Sequence, residues 1–305
     1  MCCGQLAGAT QAMDRTNTLK SIRKSLSDRP AEFVLLPPIG APIPDAFKAV
    51  ETSDRLHAEL LSSAQRFRGG IYLQDGAIRP QQLTSDGRHA LPVDEESWHI
   101  LTLDHEGRIC ACLRVHQQTG GRDFDRLPVS QSALTHCPDW GGKLRQAVES
   151  EIAGAREAHL HFGDVGGWAI APERRRTLEP LRTILAGYSL MQHLGGVAGV
   201  VTATCKHGSA QILRKLGLRP LQAGGETIPG YYDPHYNSEM EVLSFDSRRP
   251  NPRYKEWIAE LRCVLSSAPV VRAERRYRPV SATPAVVFKP WSQVFYPRHV
   301  RPLLG

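Results

Sequence analysis

The feature that most constrains the fold is an alternation of short apolar runs with helical patterns in the second half of the chain. Residues 165–171, 197–203 and 238–245 have the length and the apolar content of buried strands. Between them, residues 177–194 and 209–216 place apolar side chains at the spacing of one helix face. This order of strand, helix, strand, helix and strand predicts a sheet with helices packed on its faces.

The first half of the chain indicates that this sheet is mixed. Residues 98–103 and 109–115 are apolar runs joined by a short polar turn, which predicts a hairpin of antiparallel strands. Residues 33–36 predict a first strand. A helix is predicted to begin after the N-cap Ser53 and to end at the glycine pair 69–70. The predicted fold class is therefore α/β, with a central mixed β-sheet and helices on both faces.

Three segments are predicted from the distribution of proline, arginine and apolar residues. Residues 1–40 are mixed and interrupted by prolines, and they predict a partly disordered N-terminal extension. Residues 41–266 hold the folded domain, including helices predicted at 143–157 and 251–265. Residues 267–305 form a basic tail, rich in Pro and Arg, for which we expect poor order.

The composition limits the compartment and the partners. No stretch approaches the roughly 20 apolar residues of a membrane helix, and the N-terminus lacks the apolar run of a secretory signal, so we expect a cytoplasmic protein without a membrane span. The seven cysteines include no CxxC pair, which favours structural cysteines over a metal site. The net charge of +7 suits a phosphate-bearing cofactor, an acidic carrier protein or nucleic acid. Because no nucleic-acid-binding motif accompanies the charge, we expect no nucleic-acid partner.

The joint between the strand at 165–171 and the helix that follows carries three consecutive arginines, Arg174, Arg175 and Arg176. A helix start offers unpaired N–H groups and a positive dipole end, and both attract anions. Thr177 is a suitable N-cap for that helix. The pattern predicts a phosphate-binding joint, with an ordinary solvated arginine cluster as the alternative.

Two segments resemble the GCN5-related N-acetyltransferases (GNAT). Residues 167–177 are similar to the family's acyl-CoA-binding segment, whose motif is Arg/Gln-x-x-Gly-x-Gly/Ala; Arg174 fits its first position and Thr177 stands in place of the glycine. Residues 209–218 are similar to the second family signature, which ends in Lys-x-Gly-Phe. Leu213 stands where many members carry a tyrosine that protonates the leaving thiolate.

The resemblance implies a GNAT-like fold in which two adjoining strands separate and hold an acyl thioester in the gap. Backbone groups of the first of these strands would pair with the pantetheine arm as an added strand would. The arginine-flanked joint would hold the phosphate of coenzyme A or of a carrier protein's phosphopantetheine. The implied donor-binding residues are Trp168, Ala169, Ile170, Ala171, Arg174, Arg175, Arg176 and Thr177.

Within this superfamily the chain resembles the acyl-homoserine-lactone synthases and the N-acyl amino acid synthases. Arg68 and Tyr72 fit their Arg-x-x-x-(Tyr/Phe) segment after the first helix. Asp94, shortly before Trp98, is similar to their acidic residue ahead of the hairpin. The resemblance implies that these four residues bind the substrate, and Arg68 and Asp94 would either recognise an acceptor's carboxylate and ammonium or pair with each other.

Asp164 stands where those synthases carry a glutamate, and the arginine that follows in them is replaced here by Gly167. This replacement argues against homoserine-lactone chemistry and leaves amino-acid acylation open. A partly buried Asp164 with a raised pKa would be the base that takes a proton from the amine. His99, His116 and His161 are the alternatives near strand ends.

The predicted activity is the transfer of an acyl group from acyl carrier protein or acyl-CoA to the amine of an amino acid or a similar small molecule. An acidic carrier would be attracted to the positively charged chain. The alternatives are a short-chain acetyltransferase that uses acetyl-CoA, and a noncatalytic module that binds an acyl ligand. The aromatic loop at residues 231–236 would either cover the acceptor or pack on the surface.

Overall fold

The strands of the computed structural model, which describes residues 32–118 and 123–277, form one large mixed sheet and one short separate ribbon. Within these residues the strands are β1 (Glu32–Leu36), β2 (Ala49–Thr52), β3 (Ser97–Leu103), β4 (Ile109–Gln117), β5 (His161–Ile170), β6 (Val197–Thr204), β7 (Arg219–Pro220), β8 (Gln222–Ala223), β9 (Glu226–Thr227), β10 (Tyr231–Asp233), β11 (Ser238–Asp246) and β12 (Pro269–Arg272). The large sheet has the order β10-β11-β6-β5-β4-β3-β1-β12-β2, with β7 also beside β11, and the ribbon pairs β8 with β9. Paired strands are antiparallel except for β5–β6, β1–β12 and β12–β2. The mixed sheet predicted from the sequence is confirmed.

Helices cover both faces of this sheet. In the described residues they are α1 (Asp54–Gln74), α2 (Gly141–Glu157), α3 (Glu179–His193), α4 (Ser209–Lys215) and α5 (Lys255–Ser267). In β1, Phe33 and Leu35 contact the cluster that contains α3 and α5, whereas Val34 and Leu36 contact the cluster that contains α1. Because side chains alternate along a strand, two covered faces require apolar residues at successive positions, and this explains the unbroken apolar runs in the sequence.

Helix α1 continues beyond the glycine pair that was predicted to end it, so that prediction is wrong. Gly69 and Gly70 both lie within the helix, which ends at Gln74. A Cβ atom at Gly69 would lie 3.0 Å from the carbonyl oxygen of Gly87, so the missing side chain lets a loop approach the helix closely. Gly76, two residues after the end of the helix, has a φ of 66°, a conformation typical of a glycine that follows a helix.

The sheet extends beyond the predicted domain limits of 41 and 266. Strand β1 precedes the lower limit, and β12 follows the upper limit and lies between β1 and β2. The carboxylate of Asp54 accepts a hydrogen bond from the backbone N–H of Glu274 (2.8 Å), which attaches the segment after β12 to the start of α1. The expectation of poor order is therefore wrong for residues 269–272, and residues 1–31 and 278–305 lie outside the described part of the chain.

Candidate active site

Strands β5 and β6 are paired for only part of their length. Their parallel ladder runs from the His161–Val197 pair to the Asp164–Val200 pair. Beyond these pairs no ladder joins them, and the remaining residues of β5 and β6 border a cavity of about 290 Å³ that includes Ile170 in its wall. The separation of adjoining strands that the resemblance implies is therefore present.

A β-bulge lies in β5 at the place where the two strands separate. Cys112 of β4 pairs with Ala169, whereas Arg114 pairs with Gly166, so β5 has one more residue than β4 between these pairs. Gly167 lies in the bulge with a φ of 62°, a conformation that a residue with a side chain rarely adopts. A bulge bends its strand and increases the local twist, and this bulge lies in the part of β5 that is not paired with β6.

The two glycines at the bulge make room for two buried arginines from other elements. A Cβ atom at Gly167 would lie 2.9 Å from Nη1 of Arg68, and one at Gly166 would lie 2.8 Å from Nη2 of Arg114. Arg68 comes from α1 and Arg114 from β4. The space that side chains at Gly166 and Gly167 would fill is thus occupied by guanidinium groups from two other elements.

Arg68 and Asp94 pair with each other in the protein interior. The Arg68 Nη1 and Nη2 atoms donate to Asp94 Oδ1 (3.1 Å) and Oδ2 (2.7 Å), and only 2% of Arg68 and 1% of Asp94 is exposed. Asp94 also accepts hydrogen bonds from Gln65 Nε2 and from the N–H of Leu91, both at 2.9 Å. Of the two roles considered from the sequence, mutual pairing is the one that the geometry shows.

A second buried ion pair lies directly beside the cleft. Arg114 Nη2 lies 2.5 Å from Asp164 Oδ2, and His116 Nδ1 lies 3.0 Å from Asp164 Oδ1. Arg114 Nη1 lies 3.9 Å from Asp94 Oδ1, which connects this pair with the first. Asp164 and Arg114 border the cavity, so the wall of the cavity includes a carboxylate that is paired with one full positive charge.

The ionisation of the two buried aspartates follows from these contacts. Burial acts to raise the pKa of Asp164, but the charge of Arg114 and the hydrogen bond with His116 outweigh burial and hold the pKa below its ordinary value. Burial likewise opposes ionisation of Asp94, and the hydrogen bonds and charge of Arg68 nevertheless lower its pKa to about 2. The predicted raised pKa of Asp164 is therefore wrong.

The four residues predicted to bind substrate separate into two groups. Arg68 and Tyr72 border the cavity, and the Tyr72 hydroxyl donates a hydrogen bond to the carbonyl oxygen of Trp168 (3.2 Å). Among the described residues that border the cavity, Asp94 and Trp98 are absent. Asp94 lies behind Arg68, and Trp98 is a core residue that stacks on Phe47, so neither contacts a ligand in this cavity.

Of the four residues at positions 168–171 that were predicted to bind the donor, the three that lie in β5 border the cavity. These are Trp168, Ala169 and Ile170, whereas Ala171 is buried outside its wall and its N–H donates to the carbonyl oxygen of Cys110 (2.9 Å). The carbonyl oxygens of Trp168 and Ile170 already accept hydrogen bonds, the second from Arg175 Nε at 3.2 Å.

The arginine-rich joint differs from its prediction. Arg175 borders the cavity but forms a bidentate ion pair with Asp75 (2.8 Å for both contacts). Within the described residues Arg174 is half-buried and Arg176 is exposed, and neither has an ion-pair partner. Helix α3 begins at Glu179, so the predicted N-cap Thr177 lies before it, where its hydroxyl donates to the Arg174 carbonyl and accepts from the Glu179 N–H.

The remaining wall of the cavity is mostly apolar on the side of α3 and β6. Gly187 of α3 is part of this wall. A Cβ atom at Gly187 would lie 2.6 Å from Leu113 Cδ2, so the absence of a side chain lets α3 lie close to β4. Leu213, the residue at which the sequence comparison expected a tyrosine, borders the cavity and is buried. The apolar side chains of this wall include Leu113, Ile184, Met191, Val201, Leu213 and Phe245.

Aromatic and imidazole groups border the opposite end, near Arg68. Tyr236 from the predicted aromatic loop lines the cavity, and burial raises the pKa of its hydroxyl. His89 also lines it, and burial, reinforced by the charge of Arg68, lowers the pKa of its ring to about 4. His235, next to Tyr236, lies 3.0 Å from Gln82, so two loops meet at this end.

The three histidine alternatives also have definite places. His116 contacts Asp164, and His99 Nε2 donates to the Asp94 carbonyl oxygen (2.8 Å). Burial lowers the pKa of His99 to about 4. The side chain of His161 is exposed at the paired end of β5. Only His116 is therefore in contact with a group at the cleft.

Arg114 is the main residue of the site that the sequence interpretation missed. It is the one charged residue in the apolar run 109–115, and a lone charge in a strand with two covered faces indicates a buried partner. Asp75 and Lys206 were also missed, and no local pattern marks either residue.

Within residues 32–118 and 123–277, no group of three His, Cys, Asp or Glu side chains is placed to hold a metal ion. None of the helices in the same residues has both the length and the apolar character that crossing a bilayer requires.

Similarity to known proteins is confined to structure. The sequence matches no family model, and no curated protein is significantly similar to it. The coenzyme A-dependent acyl-homoserine lactone synthase BjaI shares 14% identity over 79% of this chain and 92% of its own, with a TM-score of 0.45. FeeM, an N-acyl amino acid synthase from uncultured soil microbes, shares 12% over 61% and 84%, with a TM-score of 0.41. A polyamine N-acetyltransferase of Drosophila melanogaster shares 15% over 61% and 95%, with a TM-score of 0.37. These are likenesses of overall architecture alone.

Proposed function

We propose that the protein is an N-acyltransferase that moves an acyl group from acyl carrier protein or acyl-CoA to the amine of an amino acid or a similar small molecule. The observation that carries the proposal is the separation of β5 from β6 over a cavity. An unpaired strand edge offers N–H and C=O groups to an extended ligand, and the pantetheine arm is an extended chain with two amide groups.

The thioester end of the donor is assigned to the bulge in β5. The extra residue at a bulge is left out of the ladder with the neighbouring strand, so its N–H is available to a ligand. A backbone N–H near Trp168 is proposed to stabilise the oxyanion that forms when the amine attacks the thioester carbonyl. The acyl chain would then lie along the apolar wall formed by α3 and β6.

The acceptor is assigned to the end of the cavity where Asp164, Arg114 and Tyr236 lie. In the reaction the amine nitrogen bonds to the carbonyl carbon, the C–S bond breaks, and the proton that the amine loses balances the proton that the thiolate gains. Because the pKa of Asp164 is below its ordinary value, this carboxylate is a weak base. Its proposed role is to accept an N–H hydrogen bond and orient the amine, with His116 as the neighbouring group for proton movement.

The phosphate of the donor is assigned to the open end of the cleft, where Arg174, Arg175 and Arg176 lie. The carrier-protein form of the donor is favoured by the net charge of +7, since carrier proteins are acidic. The coenzyme A form would use the same cations, so both donors belong in the test.

Two other functions are each favoured by specific observations. The cavity volume of about 290 Å³ is at the small end of the range for ligand sites, which favours a short-chain acetyltransferase. The leucine at position 213, together with the low pKa of Asp164, favours a noncatalytic module that binds an acyl ligand.

The test is an assay of thiol release. Purified protein is incubated with acyl carrier protein and coenzyme A thioesters of graded chain length and with a mixture of amino acids. Release that depends on the amino acids and is lost in Asp164→Asn supports the proposal. The matched control is Asp86→Asn, because Asp86 is an exposed, ion-paired aspartate away from the cavity. Release with acetyl donors only supports the short-chain function, and donor binding without release from any thioester contradicts catalysis.

A further inference from the structure

Three segments meet at the end of the cleft next to the last residues of β5, where the donor's phosphate is assigned. Asp75 follows helix α1, Arg175 lies in the joint between β5 and α3, and Lys206 follows β6. All three border the cavity. The Arg175 guanidinium donates from Nη1 and Nη2 to the two oxygens of Asp75 (2.8 Å each), and Lys206 Nζ donates to the Asp75 carbonyl oxygen (2.6 Å).

The contact between Arg175 and Asp75 has the form of a guanidinium–phosphate contact. A guanidinium fork binds the paired oxygens of a carboxylate or of a phosphate through the same two parallel N–H bonds. The side chains remain partly accessible, with 29% of Arg175 and 17% of Asp75 exposed. A phosphate that reaches this end of the cleft therefore meets a cation whose binding edge is occupied by a carboxylate.

The position of Arg175 does not depend on Asp75 alone. Its Nε donates to the carbonyl oxygen of Ile170 at the end of β5 (3.2 Å). This bond uses the nitrogen that the ion pair leaves unused, so the guanidinium stays attached to the strand when the carboxylate moves away. Asp75 thus occupies the two Nη atoms of Arg175, whereas the carbonyl oxygen of Ile170 holds the Arg175 guanidinium in place.

We propose that Asp75 competes with the donor's phosphate for Arg175 and thereby lowers the affinity of the site for its donor. This inference rests on the proposed function. Phosphate carries more negative charge than one carboxylate and binds next to Lys206 as well, so it displaces Asp75. Loss of the Asp75 charge removes the competitor and leaves both cations to the phosphate.

The experiment compares the binding of coenzyme A and of pantetheine, which lacks the phosphate, by isothermal titration calorimetry. The full-length wild type, Asp75→Asn and the control Asp86→Asn are titrated at low ionic strength. We expect Asp75→Asn to lower the Kd for coenzyme A about two- to fivefold, the range that a partly exposed ion pair provides. The Kd for pantetheine is expected to be the same in all three proteins. In Asp75→Asn with Arg175→Gln, the gain for coenzyme A is expected to disappear.

Two results would overturn the inference while the proposed function stands. Weaker coenzyme A binding in Asp75→Asn means that Asp75 orients Arg175 for the ligand, and equal binding in Asp75→Asn and Asp86→Asn means that it does not compete. Failure of pantetheine to bind the wild type is a different outcome, since it overturns the cleft assignment and with it both proposals.

Discussion

Replacing Asp94 by asparagine tests the buried ion pair that supports the cleft. Asp94 accepts two hydrogen bonds from Arg68, one from Gln65 and one from the N–H of Leu91. Whichever way the asparagine amide is turned, its NH₂ group faces at least one of these donor nitrogens. The Arg68 guanidinium also loses its charged partner while it remains buried. Breaking a buried pair in this way costs about 3–5 kcal/mol of unfolding free energy.

The assay is equilibrium unfolding in urea, with Asp86→Asn as the matched control. Asp86 is about half exposed and pairs with Arg66 and Arg88 at the surface. Surface pairs contribute at most about 1 kcal/mol, so the control is expected to unfold close to the wild type. If Asp94→Asn also unfolds within about 1 kcal/mol of the wild type, the reasoning about this pair is refuted.

The same ion pair makes the unfolding free energy depend on pH, and its contribution decreases as the pH falls. The pKa of Asp94 is lowered in the folded state from 3.8 to about 2, so its ionised form stabilises the fold above pH 4. This contribution is lost as the pH falls from about 4 to about 2. At about 1.4 kcal/mol for each pH unit, it amounts to about 2 kcal/mol, and Asp94→Asn is expected to lack this part of the acid transition.

Two further predictions concern the bulge and the carboxylate at the cleft. Gly167→Ala is expected to lower kcat/KM in the thiol-release assay and to lower the unfolding free energy by about 1–2 kcal/mol. The reason is that alanine at a φ of 62° is strained and that its Cβ would lie 2.9 Å from Arg68. The control is Gly142→Ala, because nothing lies within 4 Å of a Cβ atom at Gly142. This variant is expected to leave kcat/KM unchanged and to leave the unfolding free energy unchanged or slightly raised. If the two variants lower these quantities equally, the role of the bulge is contradicted. The carboxyl carbon of Asp164 is expected to show no titration in ¹³C NMR spectra from about pH 5 to about pH 8, because Arg114 keeps it ionised. A titration of Asp164 in that interval would contradict the lowered pKa and would support a role for Asp164 as the base that deprotonates the amine.

The order of strands and helices could be predicted because each element carries its own periodicity. The hairpin β3–β4 and the helices α2 and α3 lie within a few residues of their predicted places. The end of α1 could not be predicted. Gly69 does not end the helix; it lies where a loop that includes Gly87 contacts the helix, and this contact is not visible in the local sequence. Strand β12 was missed for a similar reason: it has four residues, and its partners β1 and β2 are distant in sequence.

The place of the cavity could be predicted from the sequence, whereas the ionisation of the residues that line it could not. The local motif placed the cleft at β5, and Arg68, Tyr72 and Asp164 border it. The ionisation of Asp164 could not be derived from its neighbours in sequence, because it depends on Arg114, which is 50 residues away. Trp98 was predicted to bind substrate because of its position in the motif, but it is a buried core residue that stacks on Phe47.

The most direct measurement is a crystal structure of the protein with coenzyme A. We expect electron density for the pantetheine arm along residues 165–170 of β5, with the thiol near the bulge and the phosphate at Arg175 in place of Asp75. Density for coenzyme A at another surface, or strands β5 and β6 paired along their whole length in the complex, would contradict it.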